Sequence, residues 1–251
     1  MDMKFASLRK FNFVMGFFHL AQAVAMLVLS SDFTLPINAS FLRFNVFSQK
    51  LVPNTETLIE IRLGPLIATF LLVSAIAHFL ISLPRINKWY NANLAKGINY
   101  ARWLEYSVSS SIMIIVIAML VGIYDIVSLL LLFFLNAMMI LFGWMMEKHN
   151  QTTKKTDWTS FYFGCIAAFI CWVSIAFYLF GTPDKAPAFV YWIYFSIFLF
   201  FNVFDINMIL QYKKIGKWED YLYGERAYII LSLVAKSLLA WQVWAGTLRP
   251  V

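Results

Sequence analysis

Seven long apolar runs dominate this sequence and confine the chain to one broad class of fold. They cover roughly Leu8–Ser30, Glu60–Leu83, Leu94–Val121, Tyr124–Met146, Trp158–Phe180, Pro187–Tyr212 and Tyr221–Leu248. Each is long enough to cross a hydrocarbon core about 30 Å thick at about 1.5 Å per helical residue. Lipid offers no partner to backbone N–H and C=O groups, so runs of this kind are expected to be helices. The expected fold is an all-α membrane protein, one domain over residues 1–251 built as a seven-transmembrane helix bundle. With 13% of its residues charged and 61% hydrophobic, the chain lacks the polar surface that a soluble domain needs. The first run is too long for the core of a cleavable signal and is expected to stay as a span.

The net charge of +7 is spread over short loops between the runs. That is no footprint for nucleic acid; the expected partner is the lipid bilayer. Loops on one side carry Lys4, Arg9, Lys10, Arg85, Lys88, Lys96, Lys148, Lys154, Lys155, Lys213, Lys214 and Lys217. Those on the other side carry Arg43, Lys50, Lys185 and Arg249. The positive-inside rule therefore predicts a multi-pass cell-membrane protein with its N-terminus in the cytoplasm and its C-terminus outside. In the one long loop, Ser31–Ile59, Leu42, Phe44 and Val46 alternate with Arg43 and Asn45 between Pro36 and Pro53. That alternation predicts a short extracellular β-hairpin between helices 1 and 2, lying over the membrane surface. Cys165 and Cys171 share one apolar run and are read as buried small hydrophobes rather than a disulfide or a metal site. No CxxC, HExxH, Walker loop or GxSxG motif is present, and no enzymatic activity is expected.

Polar residues inside the runs carry the functional signal. Lys236 sits mid-way along the last run, and a cation at that depth costs at least ~2.5–3.5 kcal/mol on insertion scales. A buried lysine can also condense with an aldehyde. Glu225, Tyr228, Ser232 and Lys236 are spaced 3, 4 and 4, a single stripe on one helix face. Leu238, Leu239 and Trp241 follow, so the stripe reads as a polar inlet ending in an apolar pocket. A structural lysine reaching back to the interface is the bland alternative. Glu105 is the carboxylate well inside the third run, about 16 Å from its start. It pairs either with the positive group of Lys236 or with Arg102 one turn away. His19 and His78 lie inside the first two runs at similar depth, either as satisfied core residues or as a proton-holding cluster. Asp205 is read as interfacial, and the many Met and Phe as core.

Together, Ser232-x-x-x-Lys236 with Trp241 beyond it, Asn99-x-x-Arg102-Trp103-x-Glu105-Tyr106-Ser107, the two histidines and the cytoplasmic N-terminus resemble the heliorhodopsins. The resemblance covers essentially the whole chain. It implies all-trans retinal held covalently on Lys236 as a protonated Schiff base, with Glu105 as the single counterion. Ser232, Ser74 and Ser110 would be hydrogen-bonding partners around that group. His19, His78, Asn99 and Tyr106 would form an inner polar cavity, and Asn136, Met139 and Trp241 would line the pocket. A homodimer is also implied. Proton-pumping microbial rhodopsins carry a carboxylate where this chain has Ser232, and another where it has Val116; the stretch Ile112–Leu120 is apolar throughout. The expectation is a light sensor or regulator. A light-gated proton conductance, a light-driven pump, and light-dependent regulation of a soluble cytoplasmic enzyme docked on the basic loops are the alternatives.

Overall fold

The computed structural model describes residues 3–181 and 186–249, so Lys185, one of the loop charges above, lies outside the described residues. Among the described residues there are eight α-helices and one two-stranded hairpin. The order is α1 (Met3–Leu29), β1 (Thr34–Asn45), β2 (Lys50–Arg62), α2 (Leu63–Ser82), α3 (Pro84–Leu94), α4 (Tyr100–Leu120), α5 (Ile126–His149), α6 (Thr159–Gly181), α7 (Ala188–Tyr212) and α8 (Tyr221–Val243). A π turn, Trp244–Leu248, carries α8 onward. Every helix except α3 is long and apolar enough to cross a membrane, which makes seven spans as expected.

Of the boundaries that differ from the sequence reading, two reshape the entry to a span. The third span starts at Tyr100 rather than Leu94, because Pro84 opens a separate short helix, α3, and the chain then turns at Gly97 with φ +74°. Proline fits the first helical turn, where its missing N–H costs nothing, and glycine tolerates the left-handed backbone. Asn99 then caps α4, its side chain accepting from Arg102 N at 3.0 Å. Ile98 and Asn99 are buried, so α4 begins inside the bundle. The second span starts at Leu63 rather than Glu60, because Glu60–Arg62 still belong to the hairpin.

The hairpin is longer than the sequence suggested, pairing Thr34↔Arg62 through Asn45↔Lys50 with one irregularity at Ile37/Asn38. Thr55, Thr57, Ile59 and Ile61 are β-branched residues suited to a pleated surface, and they extend the second strand. Leu35, Ile37 and Ala39 pack down on the end of the bundle, where Asn38 N donates to Tyr124 O at 2.8 Å. Beyond Ala39 the ribbon exposes Leu42, Phe44, Val46 and Phe47.

Helix α4 is the most enclosed span. Its Met113, Ile114, Ile117 and Met119 interlock with Phe70 and Leu71 of α2, Ile175 of α6 and Leu239 and Val243 of α8. Phe17, Phe134, Phe169 and Phe177 point outward, as lipid-facing positions should. Asp220 caps α8, accepting from Leu222 N at 3.0 Å, and also takes Lys4 Nζ at 2.8 Å, which ties the start of α1 to the start of α8. The Lys4 hydrogen bond holds the Asp220 carboxyl below the usual carboxylate range.

Candidate functional site

Lys236 is 3% exposed and lies about 22 Å along α8 from Tyr221, too deep for its stem to return the ammonium to water. Its Nζ donates to Glu105 Oε1 at 3.0 Å and to Ser232 Oγ at 2.8 Å. Ser74 Oγ donates to the same Glu105 oxygen at 2.6 Å. The Tyr106 ring lies under the ammonium, 5.0 Å from Nζ to the centroid. Of the two pairings open to Glu105, the structure realises the one with Lys236. The carboxylate stands only about 7.5 Å along α4 from Tyr100 yet meets a lysine 22 Å up α8, because α4 starts deep in the bundle.

On the far side of Glu105, His78 Nδ1 donates to Asn12 Oδ1 at 2.9 Å. His19 stacks on His78, centroids 5.5 Å apart and planes at 14°. Both His19 nitrogens are buried without a hydrogen-bond partner. Orphaned polar atoms at such a site call for water.

Lys236 also opens on a cavity of about 460 Å³, within the usual range for a small-molecule site. Ser232 and Ser110 border it, together with Met113, Met139, Gly143, Trp172, Tyr194, Phe198, Phe201 and Phe204. This wall is mostly apolar and aromatic, with Asn202 and Asp205 as further polar residues. Gly143 permits it: a Cβ there would stand 2.5 Å from the Trp103 ring. Asn136 Nδ2 donates to Ser110 Oγ at 2.8 Å and fixes that hydroxyl at the border.

A third group closes the polar stripe. Arg102 is ion-paired with both Glu147 and Glu225, and all three are buried. Glu147 also accepts from Trp103 Nε1 at 2.5 Å, Asn99 N at 3.0 Å and Tyr221 OH at 3.1 Å. Glu225 also accepts from Asn99 Nδ2 at 2.6 Å. The guanidinium is sandwiched by Tyr228 at 4.0 Å and Trp103 at 4.4 Å. The stripe expected to be an open inlet is thus plugged by an ion-paired cluster joining α4, α5 and α8.

The heliorhodopsin family model matches residues 8–248. The chain belongs to the heliorhodopsin family. No curated protein sequence matches this heliorhodopsin. In fold it is similar to a light-driven proton pump from Leptosphaeria maculans, with a TM-score of 0.67 at 13% identity, covering 98% of this chain and 96% of that one. At that identity the likeness is one of architecture.

The structure gathers Lys236, Glu105, Ser232 and Ser74 into direct contact, and sets Ser110 and Met139 in the cavity wall with Asn136 behind. His78, Asn99 and Tyr106 border a second, smaller cavity, and His19 stacks behind it. Trp241 is not brought to either: it is 38% exposed, and its Nε1 donates to Gln22 Oε1 at 3.2 Å. Five residues past Lys236 is more than one helical turn, which rotates Trp241 away from the lysine's face. Asp205, read as interfacial, borders the large cavity beside Cys165. Glu147 was missed altogether. It follows Met146 and precedes Lys148, so it looked like a loop charge; the clue was a helical pattern running on to His149.

Proposed function

We propose that this heliorhodopsin is a light sensor holding all-trans retinal covalently through Lys236, and not an ion pump. Membership of a retinal-protein family supports the cofactor. So does the fit: a solvent-excluded amine opens on an apolar, aromatic cavity of about 460 Å³. Retinal, when bound, supplies light absorption and an isomerisation. The protein supplies the rest. Glu105 holds a negative charge against the lysine nitrogen, while Ser74 and Ser232 fix both partners by hydrogen bonds. In a dry interior this pair is sensitive to any change in its separation or orientation. Glu105→Gln is accordingly expected to move the visible band markedly, and an unchanged absorption spectrum would remove Glu105 as the counterion.

One observation carries the non-pump reading. Beyond Ser109, Ser110 and Ser111, α4 runs from Ile112 to Leu120 without a polar side chain, and its Met113 and Ile117 pack with Leu239 and Val243 into the buried core towards the hairpin end. A vectorial proton path needs polar groups on both sides. Cells expressing the protein, illuminated in unbuffered medium, are expected to show no sustained pH change. A sustained change abolished by a protonophore would overturn the proposal in favour of a pump. The loop charges support a cytoplasmic N-terminus, which puts the Arg102 cluster at the cytoplasmic end, near the basic loops where a soluble partner would dock. A homodimer belongs to the same reading.

A further inference from the structure

The Arg102 cluster does not balance in charge. One guanidinium faces two carboxylates, and Arg102, Glu147 and Glu225 are 6%, 1% and 0% exposed. Fully ionised, the group would carry one uncompensated negative charge in a low-dielectric interior, which is strongly unfavourable. Among the described residues no second cation pairs with either carboxylate. The other titratable groups that face them are Glu105, already paired with Lys236, His78 across the smaller cavity, and five tyrosines: Tyr90 of α3, Tyr106 of α4, Tyr212 of α7 and Tyr221 and Tyr228 of α8. Neutral phenols lend hydrogen bonds but no positive charge. One proton removes the imbalance.

That proton belongs to the carboxyl pair, which the guanidinium holds together. Glu147 takes three neutral donors besides the guanidinium. Glu225 takes a hydrogen bond from Asn99 Nδ2. Glu225 also borders the smaller cavity, of about 40 Å³, whose wall includes Glu105, His78, Arg102 and Tyr228. Arg102 Nε and Tyr228 OH are buried there without partners. A cavity of that size holds about one water, and those two atoms are the polar groups it would satisfy.

We infer that the Glu147–Glu225 carboxyl pair holds one proton in the resting protein, and that the shared cavity makes the Arg102–Glu147–Glu225 cluster a second proton station coupled to Glu105. The station is also a latch, since its three residues come from α4, α5 and α8. Any change of charge at Glu105 is felt across the cavity by the guanidinium one turn away, and through it by both carboxylates. The coupling rests on the light-sensing reading; the resting proton does not.

Infrared spectroscopy of the full chain in lipid, first without retinal, separates the two. At neutral pH the retinal-free protein is expected to show a carboxylic C=O band that shifts with 13C-glutamate labelling and is lost in Glu225→Gln. Glu147→Gln is expected to lose it as well, because in either variant Arg102 and the one remaining carboxylate balance. Overturning results are the absence of any such band, its survival in either variant, or its loss only in Asp205→Asn. With retinal added, light is expected to change the band's intensity. A protein that responds to light with the band unmoved defeats the coupling. A protein that binds no retinal, yet keeps the dark band, defeats the light-sensing reading and leaves the resting proton standing.

Discussion

Purified with added all-trans retinal, the Lys236→Ala protein is expected to show no visible absorption band, a complete loss against the wild type. The amine is the sole nucleophile of its kind bordering the large cavity among the described residues. Removing it leaves the cavity wall in place, so retinal can still enter as a free aldehyde but has nothing to condense with. Lys236→Arg sharpens the result. A guanidinium keeps a cation beside Glu105 and Ser232, so the electrostatic role of the residue survives, yet it does not form the covalent link. Both variants are expected to be colourless, and Arg is expected to be the more stable of the two by differential unfolding, since Ala strands the buried Glu105. A band that persists in Lys236→Ala would remove the covalent site. Colour in Lys236→Arg alone would show that charge, not condensation, carries the spectrum.

Lys236 and Glu105 were legible in the sequence because one is the single lysine and the other the single carboxylate deep in its apolar run, and such residues need partners. The spans were legible for a similar reason, since the thickness of a bilayer sets their length. The hairpin announced itself by alternation at Leu42, Phe44 and Val46, although its full length did not, because Glu60 and Arg62 blend into the apolar run that follows. What the sequence hid depends on packing between distant segments. Arg102 meets Glu147 and Glu225, 45 and 123 residues away, and no local spacing reports that. Helix α3 was hidden by its polar residues, which read as a loop until Pro84 and the turn at Gly97 are seen to bound a helix. Trp241 was placed by resemblance, and the structure turns it towards Gln22 instead.

The largest stability effect is expected at Arg102. Arg102→Met preserves much of the side-chain volume between Trp103 and Tyr228 but leaves Glu147 and Glu225 buried with no cation. Breaking a buried pair from one side typically costs ~3–5 kcal/mol, because the stranded charge keeps its desolvation penalty. Hydrogen-bonded contacts to two carboxyl groups and two aromatic faces at 4.0 and 4.4 Å are lost together, so the upper part of that range is expected. Thermal unfolding of the retinal-free protein measures it. The triple variant Arg102→Met, Glu147→Gln, Glu225→Gln removes the charges along with their partner and is expected to recover most of the loss, as replacing a whole buried ion-pair group often does. If the single variant falls and the triple recovers, uncompensated charge is the cause. If both fall equally, the guanidinium acts through packing and hydrogen bonds instead, since Asn99, Trp103 and Tyr221 would still reach the two substituted amide side chains in the triple. A single variant within about 0.5 kcal/mol of wild type, the range of ordinary surface substitutions, would mean that water reaches the cluster. The α4–α5–α8 junction would then be an open inlet after all, and the latch would lose the dry surroundings on which its leverage depends.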